Sequence, residues 1–187
     1  MRRRELLLAA LTMAAGARAS AQNDALWSAL RAGGVVMLLR HAQTEPGLGD
    51  PPGFRVGDCS TQRNLSAEGR RQAGRIGASL EAQRIRIDRV LSSQWCRCLD
   101  TARLAFPAVP VEPDPALNSF FDDRSSEPRQ TREVLAKISA VRAPANVAFV
   151  THHVNILALT AEAVGAGEAV LVRGGGGAPT VLGRLVL

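Results

Sequence analysis

Val35-Val36-Met37-Leu38-Leu39-Arg40-His41 is the stretch on which the fold turns. Five consecutive apolar residues with a β-branched start fit a strand buried on both faces, as in parallel sheets. Upstream, Asp24 to Arg31 reads as a short helix ended by Gly33-Gly34. Downstream, Ala42 to about Asn64 carries Pro46, Gly47, Gly49, Pro51, Pro52, Gly53 and Gly57. A structureless segment of roughly 20 residues in a small domain is either a functional loop or a mis-assigned element. Ser66 then caps a helix to about Gln83, with Ala73, Ile76, Gly77 and Leu80 on one face at helical spacing. Arg70, Arg71 and Arg75 of that helix read as its solvated side.

The remaining chain repeats the alternation. Arg89 to Ser92 reads as a strand, Trp95 to Leu104 as a helix, and the segment around Val111 as a short strand among prolines. Ser126 is expected to cap a helix whose Val134, Leu135, Ile138 and Val141 form a buried stripe. Val147 to Val150 follows as a strand and Val154 to Val164 as a helix. Glu168 to Arg173 and Thr180 to Leu187 read as two terminal strands joined through Gly174–Gly177. That glycine run lacks a Gly-Lys-Ser/Thr ending and a following helix, so it is not read as a phosphate loop. Strands alternating with helices indicate a three-layer α/β domain with a mostly parallel central sheet.

The chain has 187 residues, one domain's worth, and its 46% hydrophobic and 21% charged residues exclude a disordered or multi-span membrane protein. Met1 to Ala21 reads as a cleavable signal peptide, leaving residues 22–187 as the single domain. Arg2, Arg3 and Arg4 form its positive start, Leu6 to Ala15 its apolar centre, and Ala19-Ser20-Ala21 its cleavage site. The apolar centre is shorter than the roughly 20 residues a membrane span needs. Arg3-Arg4-Glu5-Leu6-Leu7 also fits the core of a twin-arginine signal. The mature protein is expected to be periplasmic or secreted, without a membrane anchor. Without the four arginines and one glutamate of the first 21 residues, 19 basic and 16 acidic side chains remain. A net charge of +3 does not indicate a nucleic-acid partner. The three cysteines, Cys59, Cys96 and Cys98, allow one disulfide from Cys59 to Cys96 or Cys98, with one thiol left over. Cys-x-Cys lacks the usual spacer of a zinc site.

Chemistry gathers at the strand ends. His41 follows the first long strand, His152-His153 follow Val150-Thr151, and Arg97 lies just beyond Ser92-Ser93. Ligands of open parallel sheets bind outside the carboxyl ends of the strands, so Arg40, His41, Arg97 and His152 should share one crevice. Helices starting after Gln94 and His153 add N-terminal amides that favour an anion. A neutral imidazole is a competent nucleophile toward phosphorus. Two guanidinium groups match phosphate oxygens bidentately, and a second histidine can donate to the third oxygen. The histidine spacing does not suggest a metal site.

These residues carry a family resemblance. Leu39-Arg40-His41-Ala42-Gln43-Thr44 resembles the Arg-His-Gly/Ala-x-Thr signature of the histidine phosphatase superfamily, in its phosphoglycerate-mutase-like branch. The resemblance continues through Leu65-Ser66-Ala67-Glu68-Gly69-Arg70-Arg71-Gln72-Ala73, Ser92-Ser93-x-x-x-Arg97-x-x-x-Thr101-Ala102 and Val150-Thr151-His152. It implies a phosphoglycerate-mutase-like α/β/α sandwich, a phosphohistidine on His41, and a pocket completed by Arg40, Arg97 and His152, with no cofactor and no metal. Thr44 matches the motif threonine and is assigned to substrate binding in support of the pocket; Gly69 and Gln72-Ala73 match packing positions. Two departures stand out. His153 replaces a frequent glycine and is a candidate substrate contact. Ser119 stands where many members carry a proton-donating glutamate, in Ala116-Leu117-Asn118-Ser119-Phe120-Phe121-Asp122-Asp123. Asp122 or Asp123 is the candidate replacement, with Asp122 taken first; the other reading is that both are solvated acids beginning a loop and no general acid is present. Phe120-Phe121 and the long loop are expected at the pocket border.

The reading that follows is an exported phosphomonoesterase acting on a small phosphorylated substrate. The alternative is a phosphate- or sugar-phosphate-binding protein with little or no turnover, suggested by the missing glutamate. A mutase fits less well, because the chain is short. A metal-binding role for His152, His153 and the cysteines ranks last.

Overall fold

The computed structural model describes residues 22–187. The expected leader lies outside the described residues. Six strands form one sheet: β1 (Val36–Arg40), β2 (Arg89–Ser92), β3 (Val111–Pro113), β4 (Val147–Thr151), β5 (Glu168–Arg173) and β6 (Thr180–Val186). Their order is β3-β2-β4-β1-β5-β6. β1 to β4 are parallel to one another, while β5 runs against β1 and β6 against β5. The mostly parallel sheet expected from the sequence is therefore present, closed at one side by the C-terminal hairpin.

Helices cover both faces, as the apolar runs require. Along β1, Met37 and Leu39 join one core cluster and Val36 and Leu38 the other; Ala148 and Val150 oppose Val147 and Phe149 on β4 in the same way. On the first face pack α1 (residues 22–32), α2 (Ala67–Ala82) and α3 (Cys96–Ala105), through Leu26, Leu30, Ile76, Leu80, Cys98 and Ala102. On the second pack α4 (Glu127–Ala140) and α5 (His153–Thr160), through Val134, Ile138, Ile156 and Leu159. This is the three-layer sandwich expected from the sequence.

Local chemistry sets most boundaries. Ser66 caps α2, its hydroxyl accepting from the Gly69 amide at 3.0 Å. The α2 face that carries Gly69, Ala73, Ile76 and Leu80 is buried. Gly69 permits a backbone crossing: a Cβ there would lie 1.8 Å from the Gln43 carbonyl oxygen. Gly77 does the same for α3, where a Cβ would meet the Ala105 carbonyl oxygen at 2.5 Å. Gln72 secures the first crossing, accepting from the Gln43 amide at 2.9 Å and donating to Ala166 at 2.8 Å.

Several expectations need correction. Ser126 is helical and makes no side-chain cap; its hydroxyl turns to Gln130 instead. Gln130 is buried in the α4 face and donates to the carbonyls of Pro115, Ala116 and Asn118, while Leu135 and Val141 are only partly buried. α5 stops at Thr160 rather than running to Val164, because Ala161 takes a left-handed conformation and ends the ladder. Residues 42–64 contain no strand or α-helix, only a single turn of 3-10 helix at Cys59–Thr61. The long segment is thus a loop, and it belongs to the site.

Candidate active site

The site is built where three parallel strands end side by side. Arg40 pairs with Thr151 at the ends of β1 and β4. Beyond them the His41 amide donates to the Thr151 carbonyl at 3.0 Å, and the Ser93 amide to Val150 at 2.9 Å. His152 is the residue before α5, and Arg97 sits in the first turn of α3. Strand register thus gathers residues far apart in sequence around one cavity of about 270 Å³. Arg40, His41, Arg97, His152 and His153 all line it.

Each group at the floor is fixed from behind. The His41 Nδ1 lies 2.9 Å from the Ala42 carbonyl oxygen. A carbonyl only accepts, so this nitrogen carries the proton and Nε2 keeps its lone pair. The Ala42 amide is itself held by the Thr101 hydroxyl at 3.0 Å. The His152 ring lies 5.4 Å from the His41 ring, centroid to centroid, nearly edge-on. Its Nε2 contacts the Ser93 hydroxyl at 2.9 Å and the Cys98 thiol at 3.5 Å. Asn118 anchors this corner, its Oδ1 receiving the Gln94 amide at 2.9 Å and lying 3.3 Å from the Ser93 hydroxyl oxygen. Arg40 donates through Nη1 to Val164 at 2.8 Å. The Nε atoms of Arg40 and Arg97 are buried without a partner among the described residues, as donors reserved for a bound anion would be.

Two residues that sequence reading missed complete the site. Asp50, from the long loop, receives Arg97 Nη1 at 2.7 Å and Nη2 at 3.1 Å, and the pair's side chains are only 3% and 5% exposed. It also accepts the Trp95 indole N–H and the Arg63 amide, both at 2.9 Å. Burial alone would raise the Asp50 pKa; the Arg97, Arg63 and Trp95 donors outweigh it and hold the carboxyl below its ordinary range. Arg63 donates through Nε to Gly49 at 2.7 Å and through Nη1 to Gly47 at 2.9 Å, folding the loop tip onto the cavity. The only signal for either residue was the loop's glycine and proline content, which marked the segment without singling them out.

The other expected residues divide. Thr44 does not line the cavity; its hydroxyl accepts Arg63 Nη1 at 2.6 Å and steadies the loop from behind. Asp122 lines the cavity, whereas Asp123 is spent on the Ser125 amide and hydroxyl. Ser119 and Phe121 reach the cavity and Phe120 is core. Cys59 pairs with Cys96, tying the loop to the start of α3, and Cys98 is a buried free thiol that burial pushes up to about 12.

Comparison with known proteins agrees with this architecture. The model of the histidine phosphatase superfamily (branch 1) matches residues 36–121. No curated protein matches the sequence. Among solved structures, the protein histidine phosphatase SixA complexed with tungstate is similar at TM-score 0.59 and 17% identity, over 81% of this chain and 96% of that one. The phosphoserine phosphatase of Entamoeba histolytica, as its H9A mutant with phosphoserine, gives 0.58 and 15%, over 80% and 95%. A mycobacterial glucosyl-3-phosphoglycerate phosphatase gives 0.57 and 18%, over 82% and 98%. The fold is that of the phosphoglycerate-mutase-like phosphatases. Within residues 36–121 the sequence matches the histidine phosphatase superfamily (branch 1), and the fold around that stretch is the one its solved neighbours share.

Two predictions follow from the electrostatics. Burial first, and then the neighbouring arginines, lower the His41 pKa to about 3; burial and the His41 and arginine charges put His152 well below its ordinary value. Both rings fold neutral, while the unfolded chain takes up their protons below about pH 6.5. Stability should therefore be full above pH 6.5 and fall as pH drops toward 3, by about 1.4 kcal/mol per pH unit for each ring. Urea melts between pH 7.5 and 4.5 measure this, and a His41→Gln variant should flatten the slope. A pH-independent stability in that window overturns the assignment. Secondly, Asp50→Ala leaves the Arg97 charge buried without a partner and should cost about 3–5 kcal/mol. Saturating tungstate should raise the melting temperature of that variant more than that of the parent. An equal shift in both would show that Asp50 is not the counter-ion of the pocket.

Proposed function

We propose that the chain is an exported phosphomonoesterase that hydrolyses a small phosphate ester through a phosphohistidine on His41. The observation that carries this reading is the His41 tautomer, with Nδ1–H given to Ala42 and Nε2 left as a nucleophile beside two unpartnered guanidinium Nε donors. Arg40 and Arg97 bind the phosphoryl oxygens and meet the charge of the transferring group, so the reaction runs without a metal. A Ser93 hydroxyl proton given to His152 Nε2 leaves the ring's other nitrogen to donate to phosphate. In the first step the His41 Nε2–P bond forms as the ester P–O bond breaks, and Asp122 protonates the departing oxygen. In the second, water attacks phosphorus, Asp122 takes its proton, and the N–P bond breaks to release inorganic phosphate. SixA, a protein histidine phosphatase, and the phosphoserine and glucosyl-3-phosphoglycerate phosphatases share this fold, which supports phosphate transfer and leaves the ester open.

Export rests on the leader sequence and is supported by the Cys59–Cys96 disulfide, since structural disulfides persist in oxidising compartments. No helix among the described residues is long and apolar enough to cross a membrane.

Turnover of p-nitrophenyl phosphate across pH 4–9 with EDTA tests the chemistry. His41→Ala should lose activity by roughly 10³-fold or more, and EDTA should leave the parent active. Asp122→Asn should slow an alkyl phosphate by about 10²-fold and the nitrophenyl ester much less, because a good leaving group needs no acid. Tungstate binding without turnover would favour the phosphate-binding alternative. In cell fractions, the protein should appear outside the cytoplasm with Gln22 near its N-terminus; cytoplasmic protein that retains residues 1–21 would overturn export.

A further inference from the structure

The cavity has two halves of opposite character. Its floor is charged and closed: His41, Arg97 and His152 are all buried there. Its mouth is apolar and open, with Leu48 86% exposed and Phe121 49% exposed, and Val154 beside them. Phe120, the next residue in the chain, is fully in the core, so the exposure of Phe121 is not shared by its neighbour. Isolated exposed leucines need no explanation. Two large apolar side chains on the rim of one phosphate pocket do.

Leu48 is also held in place. Gly47 and Gly49 on either side have positive φ values of 137° and 67°, and Arg63 binds the carbonyls of both. The tip is therefore pinned by a side chain whose Nε and Nη1 donors are used within the loop. Across the mouth, a Cβ on Gly49 would lie 3.8 Å from the Asp122 carboxylate. The loop carrying Leu48 and the segment carrying Phe121 thus face each other over the entrance.

The polar groups of the mouth are partly engaged. The Ser119 hydroxyl accepts the Phe121 amide at 3.2 Å, and His153 Nδ1 donates to Val164 at 3.1 Å. What remains is the Ser119 hydroxyl proton, His153 Nε2 and Asp122, whose carboxyl serves the leaving oxygen in the mechanism above. A polyol would find only these three partners at a mouth otherwise lined by Leu48, Phe121 and Val154.

The geometry points to an apolar leaving-group subsite formed by Leu48, Phe121 and Val154, which selects phosphate monoesters of apolar alcohols or phenols over polyol or amino-acid phosphates. It rests on the phosphatase reading for the orientation of the ester, while the binding preference stands on the cavity alone.

Calorimetric binding of alkylphosphonates, which cannot be hydrolysed, separates the two. Lengthening the chain from methylphosphonate to hexylphosphonate should tighten binding at least tenfold, since each buried methylene contributes up to about 0.8 kcal/mol. The ratio of the two dissociation constants should collapse toward one in the Leu48→Ser/Phe121→Ser double variant. A 2-carboxyethylphosphonate should bind the parent no better than methylphosphonate. A flat chain-length series, an unchanged ratio in the double variant, or preference for the carboxylate would each overturn the subsite. Loss of p-nitrophenyl phosphate turnover bears only on the phosphatase reading. If the double variant does not fold, the parent's chain-length series still decides.

Discussion

The Arg97–Asp50 pair solves the problem that this pocket poses. Arg40, Arg63 and Arg97 converge with two imidazoles on one cavity whose floor is buried. Without an anion, three guanidinium groups so placed repel one another and each loses hydration. A carboxylate that bonds both Nη atoms of the buried Arg97 offsets that cost while the Arg97 Nε keeps no partner among the described residues. Asp50 also ties Trp95 and Arg63 to the same centre. The long loop is therefore part of the electrostatic design of the site, and the Cys59–Cys96 disulfide fixes its far end to the helix that carries Arg97.

The same charges determine what the histidines can do. A histidine at the surface is partly protonated near neutral pH and is then a poor nucleophile. Here burial and the guanidinium field both oppose the imidazolium form. The backbone removes the other ambiguity, because the Ala42 carbonyl accepts only from a protonated Nδ1. Charge state and tautomer are thus both set before substrate arrives. An arrangement of this kind stabilises developing charge without reorganising.

Much of this was legible in the amino-acid sequence, and the rest was not for definite reasons. The apolar run of β1 and the strand-end placement of Arg40, His41, Arg97 and His152 follow from local pattern plus one rule of parallel sheets. Ser66, Gly69 and Gln72 carried their meaning in their spacing. Asp50 and Arg63 act through partners 47 and 19 residues away in sequence, and no local pattern encodes such pairs. Ser126 shows the converse failure: it has the right type and place for a cap, but a nearby Gln130 competed for its hydroxyl. The early end of α5 at Ala161 had no glycine or proline to announce it. Of the two adjacent acids, only the folded segment separates Asp122 at the cavity from Asp123 in its turn.

The floor and the mouth of the cavity are fixed by different parts of the chain. The floor is made by strand ends and helix starts, whose positions the sheet dictates. The mouth is made by the loop around Leu48 and the segment from Ser119 to Asp122, which the sheet does not constrain. In this chain the first is pinned by Arg63 and the disulfide, and the second is anchored by Gln130 and by Asn155, which donates to the Asn118 carbonyl at 2.9 Å. Both segments are anchored by interactions specific to this sequence. Substrate choice is therefore a property of those anchors and the side chains they present. The placement of the floor residues is a property of the sheet.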